Sequence, residues 1–468
     1  MAGGLMQLLN TGAQDQYINV SPEMSYFRQV YRRHSNFAMQ SVRTDFQSGF
    51  FLDGNTRTFT CQIGRFGDLL KDVIFALQLP DIYSSDVHRF KWIKNFANYL
   101  ISEYYITIGT QEVDHRWGEW MDIWNELTLS TDEKVSFDTL SGNVQEYMNP
   151  KAMKPMVICK NNKLSYSYYP SAGPNNPSLA SRRIFIPLDF WFTKNASLAI
   201  PMIALQYQPI TITIITRSIE DLYQVWDSQR QLYMSPSTYN QLNPTLPSVS
   251  ISTFTKYGGG GPSTLYNVDG YLECNYVFLD TPERTYIAAN SFDYLIERVT
   301  RNEKTGVTVN DTFNLTLSNP VKELIWVVRR RDARVYNDWG NFTASQPEDL
   351  TKSPMRDAQL LWNGISRFDV KESAYFNMIQ PHLYHTSQPR QGIYVYSFAL
   401  APEKVQPSGS FNASVINTVQ LVSTMNTVPQ VTPFPDVSKD TEYDIIVYGL
   451  HYNVFRVMAG SGGMVFNL

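Results

Sequence analysis

Apolar and polar residues alternate in several stretches of this chain, the period expected of strands with one face in a core and the other in water. The cleanest run, Pro209-Ile210-Thr211-Ile212-Thr213-Ile214-Ile215-Thr216, predicts a strand near the middle of the chain. Thr58-Phe59-Thr60-Cys61-Gln62-Ile63 and Thr312-Phe313-Asn314-Leu315-Thr316-Leu317 have the same character. From Asp72 to Leu79 the pattern puts Val73, Phe75, Leu77 and Leu79 on one face, and Pro80 ends it. The last strong strand pattern runs from Tyr443 to Met458 and precedes a Gly-rich tail. Helical spacing is rarer. Trp117, Trp120, Trp124 and Leu127 recur at intervals of three and four, a shorter helical stretch covers Glu372 to Met378, and Asp280-Thr281-Pro282-Glu283 has the cap and early Pro of a helix start.

These elements come twice in the same order. Leu70-Lys71-Asp72-Val73-Ile74-Phe75 returns as Val321-Lys322-Glu323-Leu324-Ile325-Trp326. Each copy follows one of the alternating strands above and precedes a hairpin that turns at a glycine, Ile106 to Asp114 with Gly109 and Leu360 to Asp369 with Asn363-Gly364. Asn-Gly between apolar runs is a strong short-range hairpin signal. A helical stretch follows each hairpin, and then a further strand, Ile184 to Phe192 in the first half and Ile393 to Leu400 in the second. The pattern predicts one fold written twice.

At 468 residues the chain exceeds one ordinary core, which agrees with two domains. The expected division is an arm over 1–26, a first domain over 27–217 and a second over 218–468. Polar segments at about 130–180 and 227–268 are too long for simple connections and need a job or structure of their own. Abundant Tyr, Phe, Thr, Val and Ile favour sheet. The expected fold class is all-β: paired sandwiches with short helices in their loops, jelly rolls being the leading form.

Composition excludes several roles. Three cysteines, Cys61, Cys159 and Cys274, are too few and scattered for a disulfide framework or zinc site, and a reducing compartment during folding is the simplest inference. The first residues lack the basic segment of a secretory signal. The best apolar run, Leu198 to Leu205, is short and broken by Pro201, so no membrane span is expected. Sequons such as Asn195 and Asn412 carry little weight in a chain outside the secretory path. A net charge of −4 and an arm without Lys or Arg in its first 25 residues argue against direct nucleic-acid binding. Arg32-Arg33 and Arg329-Arg330-Arg331 read as a solvated face or inter-subunit ion pairs.

Catalytic chemistry is equally sparse. His382 and His385 have metal-compatible spacing but no Cys or carboxylate pair nearby in sequence. Asp114-His115 lacks a nucleophile turn, and Asp114 is better placed to cap the helix that begins at Trp117. Gly258-Gly259-Gly260-Gly261 lacks the Lys-Ser/Thr ending of a phosphate loop. Paired carboxylates for glycoside hydrolysis cannot be read from spacing alone, and the tryptophans at helical spacing read as core rather than a sugar platform. No catalytic, cofactor-binding or metal residue is assigned, no cofactor is expected, and the chain is read as not an enzyme.

With the residues laid out this way, the chain resembles the major capsid proteins of nucleocytoplasmic large DNA viruses, the group of iridoviruses, phycodnaviruses, mimiviruses and marseilleviruses. The likeness starts at Gly3-Gly4-Leu5-Met6-Gln7-Leu8 and Gly12-Ala13-Gln14-Asp15. It continues through Tyr31-Arg32-Arg33-His34-Ser35-Asn36-Phe37, where Ser35 replaces the usual Thr, and through Phe185-Ile186-Pro187-Leu188-Asp189-Phe190-Trp191-Phe192. Pro320 to Val328, Tyr396-Ser397-Phe398-Ala399-Leu400, Gln406-Pro407-Ser408-Gly409-Ser410 and Tyr452-Asn453-Val454 extend it through the second half. The resemblance implies a double jelly roll, two tandem eight-stranded antiparallel β-sandwiches. It implies a homotrimeric, nearly hexagonal capsomer that tiles an icosahedral shell, made in the host cytoplasm and carried in the virion. It further implies an internal membrane beneath the shell, an N-terminal arm that contacts minor capsid proteins and long loops that form the outer crown. The rivals from other classes are a carbohydrate-binding double sandwich and a glycoside hydrolase.

Overall fold

The computed structural model describes residues 3–85, 88–144, 156–160, 163–167, 174–263, 265, 268–428 and 441–466. The chain divides into two units, Met1–Phe37 and Ala38–Leu468. The first holds two short helices, Gly3–Leu9 and Gln16–Asn19, neither with a buried side chain. Leu5, Leu8, Tyr17, Phe27 and Val30 all stand exposed along it.

The second unit contains sixteen strands that organise two sandwiches. We number them β1 (Phe37–Asp45), β2 (Arg57–Gln62), β3 (Leu69–Leu79), β4 (Ile101–Ile108), β5 (Gln111–Trp117), β6 (Arg182–Pro187), β7 (Ile210–Thr216) and β8 (Gly270–Leu279) in the first. The second has β9 (Phe292–Val307), β10 (Asn310–Leu315), β11 (Pro320–Arg330), β12 (Met355–Trp362), β13 (Ile365–Ser366), β14 (Ile393–Ser397), β15 (Val419–Met425) and β16 (Tyr443–Met458). In the first sandwich one sheet runs β1-β8-β3-β6 and the other β2-β7-β4-β5. In the second they run β9-β16-β11-β14 and β10-β15-β12-β13. Each strand of one sandwich therefore has its counterpart eight strands later. This is the jelly-roll order, in which the chain's first and last strands lie side by side in one sheet, and it bears out the double jelly roll.

Local chemistry explains the elements. Ile210, Ile212 and Ile214 of β7 point into the first core while the strand pairs antiparallel with β2 and β4. Asn363 and Gly364 both take positive φ, 48° and 79°, as a two-residue hairpin turn with the twist of its strands requires. The tryptophan pattern becomes the helix Gly118–Thr128. At its start a Cβ on Gly118 would lie 2.0 Å from the Asn98 carbonyl oxygen, so only glycine lets the helix approach the preceding segment so closely. Asp280 caps the helix Thr281–Ala289, its carboxylate accepting from the Thr281 N–H at 2.7 Å.

Strand β8 lies well beyond the boundary expected at 217, yet it sits between β1 and β3. The intervening segment conceals this, because it holds structure of its own: strands Tyr223–Asp227 and Leu232–Met234, which join Phe90–Trp92 in a separate sheet, and the helix Pro236–Leu242. The other long polar segment likewise contains the helix Thr131–Ser141 and the hairpin strands Met156–Lys160 and Lys163–Ser167. Its residues 145–155, 161–162 and 168–173 lie outside the described residues, as does part of the 227–268 segment.

Candidate assembly surfaces

The feature that sets the two sandwiches against each other is the helix Gly118–Thr128. It springs from β5 of the first sandwich and lies on the outer face of the second sandwich's β9-β16-β11-β14 sheet. Trp120, Ile123, Trp124 and Leu127 form one buried cluster with Ile325, Val327, Ile393, Val395, Ile446 and Tyr448 of that face. On the other side of the same sheet, Leu324, Trp326 and Val328 fill the second sandwich's own core. Strand β11 is thus buried on both faces, which explains its almost unbroken apolar run.

Charged groups are buried along this seam, and each has a partner, as burial of charge demands. Glu119 of the helix meets Arg329 at 3.2 Å, and Tyr448 donates to the same carboxylate at 3.4 Å. Arg390 binds Asp122 and also Glu126, the latter at 3.1 Å. Glu297 of β9 sits between Lys194, at 2.8 Å, and Lys322. Burial alone would raise the Glu297 carboxyl pKa, but the two ammonium groups push it down to about 2. Arg116 pairs with Asp114 at 3.0 Å and donates across the seam to the Glu297 carbonyl at 3.0 Å.

His385 is a further buried basic group of this region. Its ring nitrogens contact Glu323 at 3.1 Å and Glu403 at 3.0 Å. Burial would lower its pKa, but the paired carboxylates raise it to about 9, so it is an imidazolium at neutral pH that ties β11 to the loop after β14. His382 is exposed on the short helix Gln380–Tyr384, and the two histidines do not converge. Among the described residues, no cluster of three or more His, Cys, Asp or Glu side chains could hold a metal ion.

Other sequence candidates resolve into structural roles. Asp114 does not cap the tryptophan helix: it is a buried member of β5 that binds Arg116 and accepts from the Trp191 N–H at 3.1 Å. His115 lies between Glu103 and Glu112 and stacks on Trp117 at 4.6 Å. Arg329 and Arg330 correct the expectation of a solvated face or inter-subunit pair. Both are buried, paired within the chain with Glu119 and Asp332, and only Arg331 is exposed, beside Glu442. Cys61 and Cys274 are buried thiols whose pKa values burial pushes up to about 12. Gly258, Gly259 and Gly260 form a surface turn with positive φ. Trp120 and Trp124 are core, as their spacing predicts. The seam ion pairs cannot be read from local pattern, although Lys322 and Glu323 inside an apolar strand pattern are a signal, since charges in such places are nearly always paired. No helix among the described residues is long and apolar enough to cross a membrane.

Two family profiles together cover most of the chain. Residues 25–280 match the N-terminal part of the major capsid protein, and 283–463 match the large eukaryotic DNA virus major capsid protein. The chain is 30% identical to the major capsid protein of Phaeocystis pouchetii virus over the whole of both chains. It is 26% identical to that of Paramecium bursaria Chlorella virus 1, again over both full lengths. The solved Faustovirus major capsid protein superposes with a TM-score of 0.69 at 12% identity, covering 97% of this chain and 96% of that one. A chain of the PBCV-1 virus capsid gives a TM-score of 0.68 at 22% identity, covering 95% of this chain and all of the other. The chain belongs to the major capsid protein family of the large eukaryotic DNA viruses.

Proposed function

We propose that this protein is a structural shell subunit that assembles as a homotrimer, six jelly rolls giving a nearly hexagonal capsomer that tiles an icosahedral virion capsid. The observation that carries this reading is the identity of strand order in its two sandwiches. Two equivalent modules joined at a rigid, doubly buried seam let three chains imitate sixfold packing. We place the division between modules at the segment 280–291, with 38–279 as the first jelly roll and 292–466 as the second. No residue is given a catalytic, metal-binding or cofactor-binding role: the buried charges are spent on ion pairs within the chain. The arm, which exposes Leu5, Leu8, Tyr17, Phe27 and Val30, is suited to docking on minor capsid proteins. Synthesis in the host cytoplasm and a shell lying over an internal membrane, without direct genome contact, fit the mildly acidic composition and the arm's lack of Lys and Arg in its first 25 residues. Light scattering on the purified full chain tests the proposal. A particle of three times the 53.7 kDa chain mass supports it, and a monomer at assembly concentrations overturns it.

A further inference from the structure

Loops from both sandwiches meet around a cavity that the shell role leaves unused. Gly270 pairs with Leu77, so the connection that leaves β3 and the one that enters β8 emerge at the same end of the first sandwich. Together they form the separate three-stranded sheet, in which Trp226 stands across from Tyr233 and Gln224 across from Lys91. One face of that sheet is core: Phe90, Trp92, Tyr223, Val225 and Met234 all belong to the first sandwich's buried cluster. The other face carries Lys91, Gln224, Trp226 and Tyr233, which line one wall of a cavity of about 550 Å³. The connection between β11 and β12 supplies the facing wall with Asp338, Gln346 and Glu348. This volume lies within the ~300–1,000 Å³ typical of small-molecule sites.

Both walls are held in shape by the chain itself. Asp227 fixes the turn of the aromatic hairpin, accepting from the Gln229 N–H at 2.8 Å and from the Arg230 guanidinium at 2.7 Å. The Trp226 and Tyr233 rings lie 5.0 Å apart, and the Lys91 ammonium sits 4.3 Å over the Tyr233 ring. On the facing wall Asn341 donates to Asp338 at 3.1 Å and to the Gln346 side-chain oxygen at 2.9 Å, while Gln346 donates to Asp338 at 3.2 Å. Asn337 and Trp339 tie the two loops together, donating to the carbonyls of Tyr223 and Asp221, both at 2.9 Å. A preformed site of this kind spares a ligand the cost of ordering it.

The lining selects the ligand. Trp226 is half-buried and offers a broad apolar ring for stacking. Lys91, Lys94, Asp338 and Glu348 are the charged side chains of the lining, two of each sign, and Lys94 is already matched to Glu348 at 2.8 Å. A charged ligand such as a nucleotide would find its counter-charges neutralised. Acceptor capacity, by contrast, is left over. Both bonds to Asp338 fall on its Oδ2, and Oε1 of Glu348 is buried with no hydrogen-bond partner among the described residues, a carboxylate oxygen whose desolvation a donor would offset. An uncharged molecule with an apolar face and a rim of hydroxyl donors answers both features, and a pyranose has that form.

We infer that this cavity binds a neutral sugar unit of a glycan, with Trp226 stacking on the pyranose ring and Asp338 and Glu348 accepting from its hydroxyls. The test applies the full chain, detected through an affinity tag, to a printed array of neutral, sialylated and sulfated glycans, followed by calorimetric titration with the methyl glycoside of the terminal sugar bound best. Neutral glycans are expected to bind. Trp226→Ala and Asp338→Asn should each weaken the titrated affinity by about tenfold or more, and Trp226→Phe should retain most of it. Tyr286→Ala, which removes an exposed aromatic outside the cavity, should leave it unchanged. Particle mass and circular dichroism establish that each variant folds, and Tyr233→Ala takes the place of any that does not. Absence of binding on the array, preference for sialylated or sulfated glycans, or equal affinity in wild type and Trp226→Ala overturns the inference.

Discussion

Strands β3 and β11 are the same element written twice, and they live in different solvents. Both turn one face inward, Val73, Phe75 and Leu77 in one and Leu324, Trp326 and Val328 in the other. Outward, β11 meets the tryptophan helix and is dry, while the corresponding side of β3 is only half covered. The residues follow the difference: Ile325 and Val327 are wholly buried and Ile74 is half-buried, while the smaller Ala76, itself buried, stands where the second copy has Val327. Even the charges obey it. Glu323 is fully buried and bound to His385, whereas its counterpart Asp72 keeps 29% of its side chain in water and a loose 3.4 Å contact with Lys71. A duplicated fold thus diverges where its two copies acquire different neighbours.

Substitutions in the covered sheet should cost far more than the same substitutions in the open one, and four measurements probe that contrast. The largest effect is expected from Trp120→Ala, which empties the centre of the seam and should destabilise the chain by about 4 kcal/mol in urea unfolding. A loss below about 1 kcal/mol would mean the helix is not what holds the sandwiches together. Next comes Glu297→Ala, which leaves Lys194 and Lys322 facing each other in a buried site and should cost about 3–4 kcal/mol at neutral pH. The folded-state pKa of Glu297 lies below its ordinary value, so its contribution is complete above about pH 4.5 and fades as the pH falls towards 2. Unfolding midpoints of wild type and variant should therefore converge in acid.

His385→Gln carries the opposite sign. A histidine raised from 6.5 to about 9 stabilises fully below pH 6.5 and loses that contribution as the pH climbs through 9. The variant should lose on the order of 3 kcal/mol at pH 6 and little at pH 9.5. A constant deficit at every pH would show that the imidazolium charge is irrelevant. The smallest but most direct comparison sets Ile325→Ala against Ile74→Ala in dissociated chains, about 3 kcal/mol against about 1. Equal losses would erase the distinction between the covered and open faces.

Much of this was legible beforehand because its causes are local. Alternation marked β2, β7, β10 and the inner face of β3, the Asn363-Gly364 pair marked a hairpin, and the Asp-Thr-Pro start marked the helix Thr281–Ala289. A division at 217 separates β8 from the β1 and β3 that it pairs with, since nothing within Gly270–Leu279 states which sheet it will enter after the segment 217–269. Asp114 reads as a cap because it precedes a helix; its carboxylate instead satisfies a guanidinium buried with it, a relation that exists only once Arg116 and Trp191 are brought beside it. Arg329 and Arg330 looked solvated for the same reason.

The sequence by itself determined the duplication, the sheet-rich class and the family, because strand periods, turn residues and repeated motifs act over a few residues and need no partner to be read. Tertiary structure alone decided which face of each duplicated sheet stays dry and which charges lie buried in pairs. Burial depends on what packs from a distant part of the chain, and that neighbour leaves its mark on a sequence only as a few apolar or charged residues whose partners cannot be known until the chain has folded.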